Sequence, residues 1–125
     1  MRTLLGVLFL GLALGLALAQ PATTLARIEA DPEAYLGREV VLVGYLWPWF
    51  KPAPLVCRGL PLARGNQAQT RSDGNFCDGT LVAYLPPGLA SGFDPERDLE
   101  IPLQLVARVE PAPGGWRLVP IRLRR

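Results

Sequence analysis

The chain opens with an apolar segment that limits how much of it can join a folded domain. Arg2 precedes an uncharged run from Leu4 to Ala19 that ends in Ala-Leu-Ala, the pattern of a secretory signal peptide and its cleavage site. As a helix, the run of about 16 residues would be about 24 Å long, shorter than a bilayer core of about 30 Å. We therefore expect a signal peptide over residues 1–19, with an uncleaved membrane anchor as the alternative. Removing 19 of 125 residues leaves 106, enough for one hydrophobic core over residues 20–125 but not for two.

The two cysteines of the exported domain are expected to form a disulfide bond. Cys57 and Cys77 are the only cysteines in the chain, and an even number of cysteines in an exported protein is typical of disulfide pairing. A loop of about 20 residues closed in this way stabilises the fold by about 3 kcal/mol in the loop-entropy model. The alternative, a redox-active dithiol, favours a Cys-x-x-Cys spacing. We predict a structural disulfide.

Composition excludes several classes of site. The chain has no histidine, so a Ser-His-Asp triad and any histidine-ligated metal are excluded. Two cysteines cannot form a four-thiolate zinc site or hold an iron–sulfur cluster. The only serines, Ser72 and Ser91, lie outside a nucleophile-elbow motif. With 13 basic and 11 acidic residues, the chain is not a strongly basic nucleic-acid binder. We expect no metal, no cofactor and no enzymatic activity.

The pattern of β-prone segments and turns predicts a mainly β domain. Residues 24–36 form one broken helix or two short turns, in which Thr24 and Asp31 are candidate N-caps and Gly37 ends the second turn. Residues 38–47 are the clearest strand, with Gly44 marking a bulge or bend. Further strands are predicted at residues 79–85, 101–109 and 116–123, with a short one at 55–57, while residues 58–79 are irregular by composition. Pro120 predicts an edge or a bulge in the last strand.

The phrase from Asp31 to Leu46, DPEAYLGREVVLVGYL, resembles the opening of small exported bacterial domains of the oligonucleotide/oligosaccharide-binding (OB) fold. Residues 103–109 and 116–119 are similar to the closing hairpin of such domains. The resemblance implies a small OB-like β-barrel with a short N-terminal helical lead-in and one long disulfide-bridged loop. Residues 48–78 depart from the family, which has a compact strand-turn-strand there. The resemblance implies no particular function, because this fold carries unrelated binders.

One group of residues has the chemistry of a binding surface. Aromatic rings stack on nucleobases and cations follow a phosphate backbone, and the candidate group combines both types: Trp47, Trp49, Phe50, Lys51, Arg58, Arg64 and Arg71. The alternatives are that Trp47 belongs to the core while Trp49 and Phe50 cap the barrel beneath the long loop, or that the rings contact a protein.

Two acidic groups and a basic terminus carry weaker hypotheses. The segment from Asp73 to Gly79 fails the EF-hand spacing, so turn chemistry around the disulfide is expected there. Four carboxylates at alternate positions are expected to face solvent: Asp94, Glu96, Asp98 and Glu100. Four arginines near the C-terminus, Arg117, Arg122, Arg124 and Arg125, could touch phosphate or anionic lipid but are more typical of a solubilising end.

These observations predict an exported, periplasmic or extracellular binding or accessory module without catalytic activity. Its partner is expected to be a protein of the cell envelope, and no stable membrane insertion is expected once the leader is cleaved. The alternative is a binder of single-stranded nucleic acid or oligosaccharide that uses the Trp47–Phe50 cluster and the arginines of the loop.

Overall fold

A computed structural model of the protein describes residues 20–66, 74–94 and 97–125. The predicted signal peptide lies outside these residues. The described chain is mainly β, as predicted, and its strands form one curled antiparallel sheet with a short parallel strand at its start. No helix in the described residues is long and apolar enough to cross a membrane.

The described residues form six strands and one α-helix. The strands are β1 (Ala22–Thr23), β2 (Glu39–Trp47), β3 (Gly74–Cys77), β4 (Val82–Leu85), β5 (Leu103–Ala112) and β6 (Gly115–Arg124), and helix α1 covers Leu25–Ala30. The antiparallel order is β4-β3-β2-β5-β6, and β1 pairs in parallel with β2. This is a partly open barrel, with no pairing between β4 and β6 in the described residues.

The predicted helical lead-in is confirmed as two short elements. Thr24 caps α1 by accepting a hydrogen bond from the Arg27 amide, and a 3₁₀ turn follows at Pro32–Ala34. The Asp31 side chain makes no capping bond. Gly37 has a φ of 77°, the left-handed conformation that suits glycine after a helical turn.

Strand β2 is long because it belongs to two halves of the sheet. From Glu39 to Gly44 it pairs with β5, and from Tyr45 to Trp47 it pairs with β3. Gly44 lies where the pairing changes, so the predicted bend is a corner between two strand partners. The predicted irregularity near Pro120 is also confirmed: the β5–β6 register shifts between Val106 and Ala107, which faces Pro120.

The middle of the chain differs from two predictions. Leu55–Cys57 forms a 3₁₀ turn rather than a strand, since Pro54 immediately precedes it and the Cys57 amide donates to the Pro54 carbonyl at 2.8 Å. Gly74–Cys77, predicted to be irregular, is strand β3, whose four residues pair with β4 while three of them also pair with β2. Pairing on both sides overrides the weak β-propensity of glycine and asparagine.

The core lies between α1 and the sheet. Leu25 and Ile28 of the helix pack with Leu42, Phe76 and Leu105. The outer edge of β4 is covered by residues 61–66, where the Asn66 side chain accepts from the Tyr84 amide at 2.6 Å and donates to its carbonyl at 3.2 Å. The buried Asn66 therefore takes the place of a neighbouring strand at this edge.

Candidate functional site

Part of the predicted group lies on the loop that follows β2, residues 48–58, which we call the aromatic loop and which carries Trp49, Phe50, Lys51 and Arg58. Three prolines at 48, 52 and 54 prevent continued strand pairing. The far end of the loop is fixed by the predicted disulfide, which the structure confirms between Cys57 and Cys77 of β3. A disulfide of this kind is typical of an oxidising compartment.

The three aromatic side chains of the group have different environments. Trp47, the last residue of β2, is only 8% exposed, whereas Trp49 is 62% and Phe50 61% exposed. The rings of Trp49 and Phe50 meet edge to face, with centroids 5.7 Å apart and planes at 88°. Trp47 therefore belongs to the core, but Trp49 and Phe50 do not cap the barrel.

Trp49 lines a cleft of about 350 Å³ between the aromatic loop and the β3–β4 strands, which we call the disulfide cleft. Its walls include Trp47, Cys57, Asn75 and Tyr84. Two aromatic side chains besides Trp49, one amide and the disulfide thus surround a space large enough for a single flat ring.

Among the described residues that line the disulfide cleft, Arg58 is the one cation. It lies directly after Cys57 and lines the cleft, and its Nε donates to the Ala53 carbonyl at 3.0 Å across the aromatic loop. This bond leaves the two terminal nitrogens of the guanidinium as further donors. A ligand in the cleft would therefore meet both a stacking face and a positive charge.

Asn75 is a polar residue on the wall of the cleft. From the sequence it is expected only in a turn, within the segment that fails the EF-hand spacing. It lies on β3, is 2% exposed, and its Nδ2 donates to the Trp47 carbonyl at 3.4 Å. Because that partner is a carbonyl, the amide nitrogen must face it. Oδ1 has no hydrogen-bond partner in the described part of the chain. The sequence gives no signal for this role, because residues 74–77 have the composition of a turn and their burial in a strand depends on tertiary pairing.

The remaining predicted cations do not gather at the cleft. Lys51 is half-buried within the aromatic loop, and Arg64 lies on a 3₁₀ turn whose backbone amide donates to Glu29 at 2.7 Å. Neither lines the cleft. Arg71 lies outside the described residues.

Basic and acidic residues are nevertheless distributed unevenly along the sequence. Residues 40–72, which include the aromatic loop, contain four basic residues and no acidic one. The rest of residues 20–125 contains eight basic and eleven acidic residues. The segment that carries the exposed rings is therefore also the positive segment of the chain.

Phe50 faces a second space, separate from the disulfide cleft. This apolar pocket of about 200 Å³ is lined by Leu46, Phe50, Phe93 and Asp98, among others. The two exposed rings therefore do not form one continuous stacking platform, since Trp49 lines one space and Phe50 the other.

Asp98 corrects the prediction of a solvent-facing row of carboxylates. It is only 1% exposed and accepts hydrogen bonds from Arg125, Arg97 and the Asp94 amide, the shortest at 2.8 Å from Arg125 Nη1. Burial acts to raise the pKa of the Asp98 carboxyl, but the hydrogen bonds from Arg97, Arg125 and Asp94 outweigh it and hold the pKa below its ordinary value of 3.8. Arg125 also stacks over Phe93, 5.3 Å from the ring centroid. These contacts hold a loop in place.

Asp78 also has a structural role, in agreement with the turn chemistry predicted near the disulfide. Its Oδ1 accepts from the amides of Thr80 and Leu81, and its Oδ2 accepts from the Leu25 amide at 2.6 Å. It thereby joins the β3–β4 turn to the start of α1. No group of three potential metal ligands occurs within residues 20–66, 74–94 and 97–125.

Comparison of the chain with protein-family models, curated proteins and solved structures finds no match. The resemblance to OB-fold domains therefore stays a prediction, and the case for a function depends on the cleft and the aromatic loop.

Proposed function

We propose that the protein is an exported, non-catalytic binding module that holds single-stranded nucleic acid in the disulfide cleft. One base stacks on Trp49, and the adjoining phosphate contacts Arg58. The observation that carries the proposal is Trp49, a ring left 62% exposed at the wall of a cleft that also contains Arg58. Export is supported by the disulfide and by the signal-like N-terminal segment.

The size of the effect follows from the number of contacts. Stacking one base on one ring contributes about 1–3 kcal/mol, so removal of the Trp49 ring should weaken binding about five- to 150-fold. One phosphate contact, from Arg58, gives a log–log salt slope of about −0.7 for a single strand. Affinity should therefore fall only about threefold between 50 and 200 mM salt.

The test is a titration of a labelled single-stranded oligonucleotide with the disulfide-bonded protein, followed by anisotropy and tryptophan fluorescence. The variants are Trp49→Ala and, as a matched control, Phe50→Ala, which removes an equally exposed ring that lines the other pocket. We expect loss of binding for the first and at most a twofold change for the second. No binding at either salt concentration, or equal losses in both variants, would refute the proposal.

A second candidate ligand is an oligosaccharide, favoured by the Asn75 amide on the cleft wall. Sugar hydroxyls can donate to a carbonyl oxygen, and sugar rings present a flat apolar face to tryptophan. A neutral oligosaccharide that quenches tryptophan fluorescence without salt dependence, where the oligonucleotide fails, would favour this candidate. The envelope protein partner expected from the sequence stays a prediction.

A further inference from the structure

The exposed apolar side chains of this protein are concentrated on the aromatic loop. Six large hydrophobic residues are exposed in the described ranges, and four of them lie within residues 49–56. Besides Trp49 and Phe50 these are Leu55, 76% exposed, and Val56, 54% exposed. Single exposed hydrophobic residues are ordinary, but several on one short loop mark an interaction surface.

The loop is built so that it cannot bury these side chains by folding back. Pro48, Pro52 and Pro54 fix three backbone φ angles, and Cys57 anchors its end to β3. Within the loop, the Lys51 amide donates to the Pro48 carbonyl at 3.1 Å. The exposed conformation is therefore already ordered, and binding through it costs little further conformational entropy.

The composition of the loop favours a lipid surface over a protein surface. Protein interfaces surround their apolar centre with a rim of hydrogen-bonding groups. Residues 48–56 read PWFKPAPLV, which offers only Lys51 and the Trp49 indole as side-chain donors and no carboxylate. Tryptophan and cations beside aliphatic side chains are typical of segments that enter the interface of a bilayer.

The charge of the surrounding segment selects the kind of lipid. The loop lies in the acid-free stretch of residues 40–72, with Lys51 within it and Arg58 at its end. Each lysine or arginine near an anionic bilayer strengthens binding by about 1 kcal/mol, which is about fivefold. Two such residues would favour an anionic over a zwitterionic surface by at least about tenfold.

We propose that the aromatic loop inserts its exposed side chains into the interface of an anionic lipid bilayer and so docks the protein on a membrane surface. The proposal goes beyond ligand binding in the disulfide cleft, because Phe50, Leu55 and Val56 do not line that cleft. Failure of either proposal therefore leaves the other standing.

The experiment uses the full, disulfide-bonded chain with vesicles of phosphatidylglycerol or of phosphatidylcholine, followed by co-sedimentation. Trp49 reports insertion directly, since Trp47 and Trp116 are only 8% and 7% exposed. We expect binding to phosphatidylglycerol, a blue shift of tryptophan emission and quenching by brominated lipid, with at least about tenfold weaker binding to phosphatidylcholine.

Matched variants assign the binding to the loop. Leu55→Ser with Val56→Ser should weaken binding at least about tenfold, because the variant has no aliphatic side chains at these positions to transfer from water into the bilayer. The control pair, Val43→Ser with Ile101→Ser, removes hydrophobic residues that are 51% and 45% exposed elsewhere and should bind like the wild type. All variants share the same N-terminal segment, so its contribution cancels.

Several results would overturn the proposal. These are no vesicle binding, equal binding to both lipids, equal losses in the loop and control variants, and binding without a tryptophan shift. Self-association in the absence of lipid that the Leu55/Val56 variant abolishes would also overturn it, because the occupant of the loop would then be a second copy of the chain.

Discussion

Gly44 is the position where a single methyl group should do most damage to this fold. It lies on β2 where pairing changes from β5 to β3. A Cβ atom added there would lie 2.0 Å from the Cys77 carbonyl oxygen and 2.8 Å from Cζ of Phe76. Ordinary contact begins at 3.4 Å, so the Gly44→Ala variant needs a movement of about 1.4 Å by atoms packed at the density of a crystal.

The neighbours of Gly44 cannot make that movement cheaply. The Cys77 oxygen belongs to a backbone tied by the disulfide, and Phe76 is fully buried. Separating β3 from β2 disrupts three residue pairs, those of Tyr45, Leu46 and Trp47. At about 1 kcal/mol for each hydrogen bond, and with about 1–3 kcal/mol for overpacking, we expect a loss of about 3 kcal/mol or more.

Thermal unfolding followed by circular dichroism, with the disulfide intact, measures this loss. For a domain of this size, 3 kcal/mol lowers Tm by roughly 12–15 °C. The matched control is Gly92→Ala, because nothing lies within 4 Å of its added Cβ. That variant should keep the Tm of the wild type, or its free energy of unfolding should rise by up to about 1 kcal/mol because the unfolded chain loses conformational freedom. A Gly44→Ala variant within about 1 kcal/mol of the wild type would refute the corner geometry, since overpacking alone costs that much.

Two further predictions concern the bonds that hold the loops. Replacing Cys57 and Cys77 by alanine opens a loop with a sequence separation of 20, and the free energy of unfolding in urea should fall by about 3 kcal/mol; an unchanged midpoint would contradict a structural role. Asp98→Asn removes the carboxylate that accepts from Arg97 and Arg125. The pKa of Asp98 is lowered in the folded state, so the ionised carboxylate stabilises the fold. This stabilisation is fully present at pH values above the ordinary pKa of 3.8 and is lost as the pH falls through the lower pKa of the folded state. The variant should be less stable at neutral pH, with a difference in Tm that shrinks in acid; a difference independent of pH would exclude the charge as the cause.

The sequence predicts correctly those elements whose conformation is determined by neighbouring residues in the chain. The broken helix follows from Thr24, a good N-cap, and from Gly37, which can adopt a positive φ. Strand β2 and the β5–β6 hairpin follow from β-branched and alternating apolar residues between strong turn signals. In each case a short stretch of chain contains the whole reason for its conformation.

Strand β3 shows where local reasoning ends. Its sequence, Gly-Asn-Phe-Cys, has the composition of a turn, yet all four residues are buried and paired. The stabilising partners lie on β2 and β4 and across the disulfide, so the pairing is tertiary. Leu55–Cys57 is the reverse case: these β-prone residues pair with no strand in the described part of the chain and form a 3₁₀ turn instead.

The candidate site was predictable in residue type but not in arrangement. Trp49 and Phe50 are adjacent in sequence, but Trp49 lines the cleft and Phe50 lines the pocket, because residues of the same loop border both spaces. Charge alone groups Arg64 with them in the sequence, whereas its turn packs beside β6. The alternating carboxylates predict an exposed Asp98, because its partner Arg125 lies 27 residues away and leaves no local signal.

The disulfide links the two proposed functions to the fold. Cys77 ends β3, two residues after Asn75 on the wall of the cleft, and Cys57 ends the segment that exposes Leu55 and Val56. A loop that keeps aromatic and aliphatic side chains in water is unstable against collapse unless something else fixes its backbone. Here prolines within the loop and a covalent bond at its end supply that constraint. The same bond that stabilises a small core thus also fixes one end of the loop that borders the cleft and carries the exposed apolar side chains.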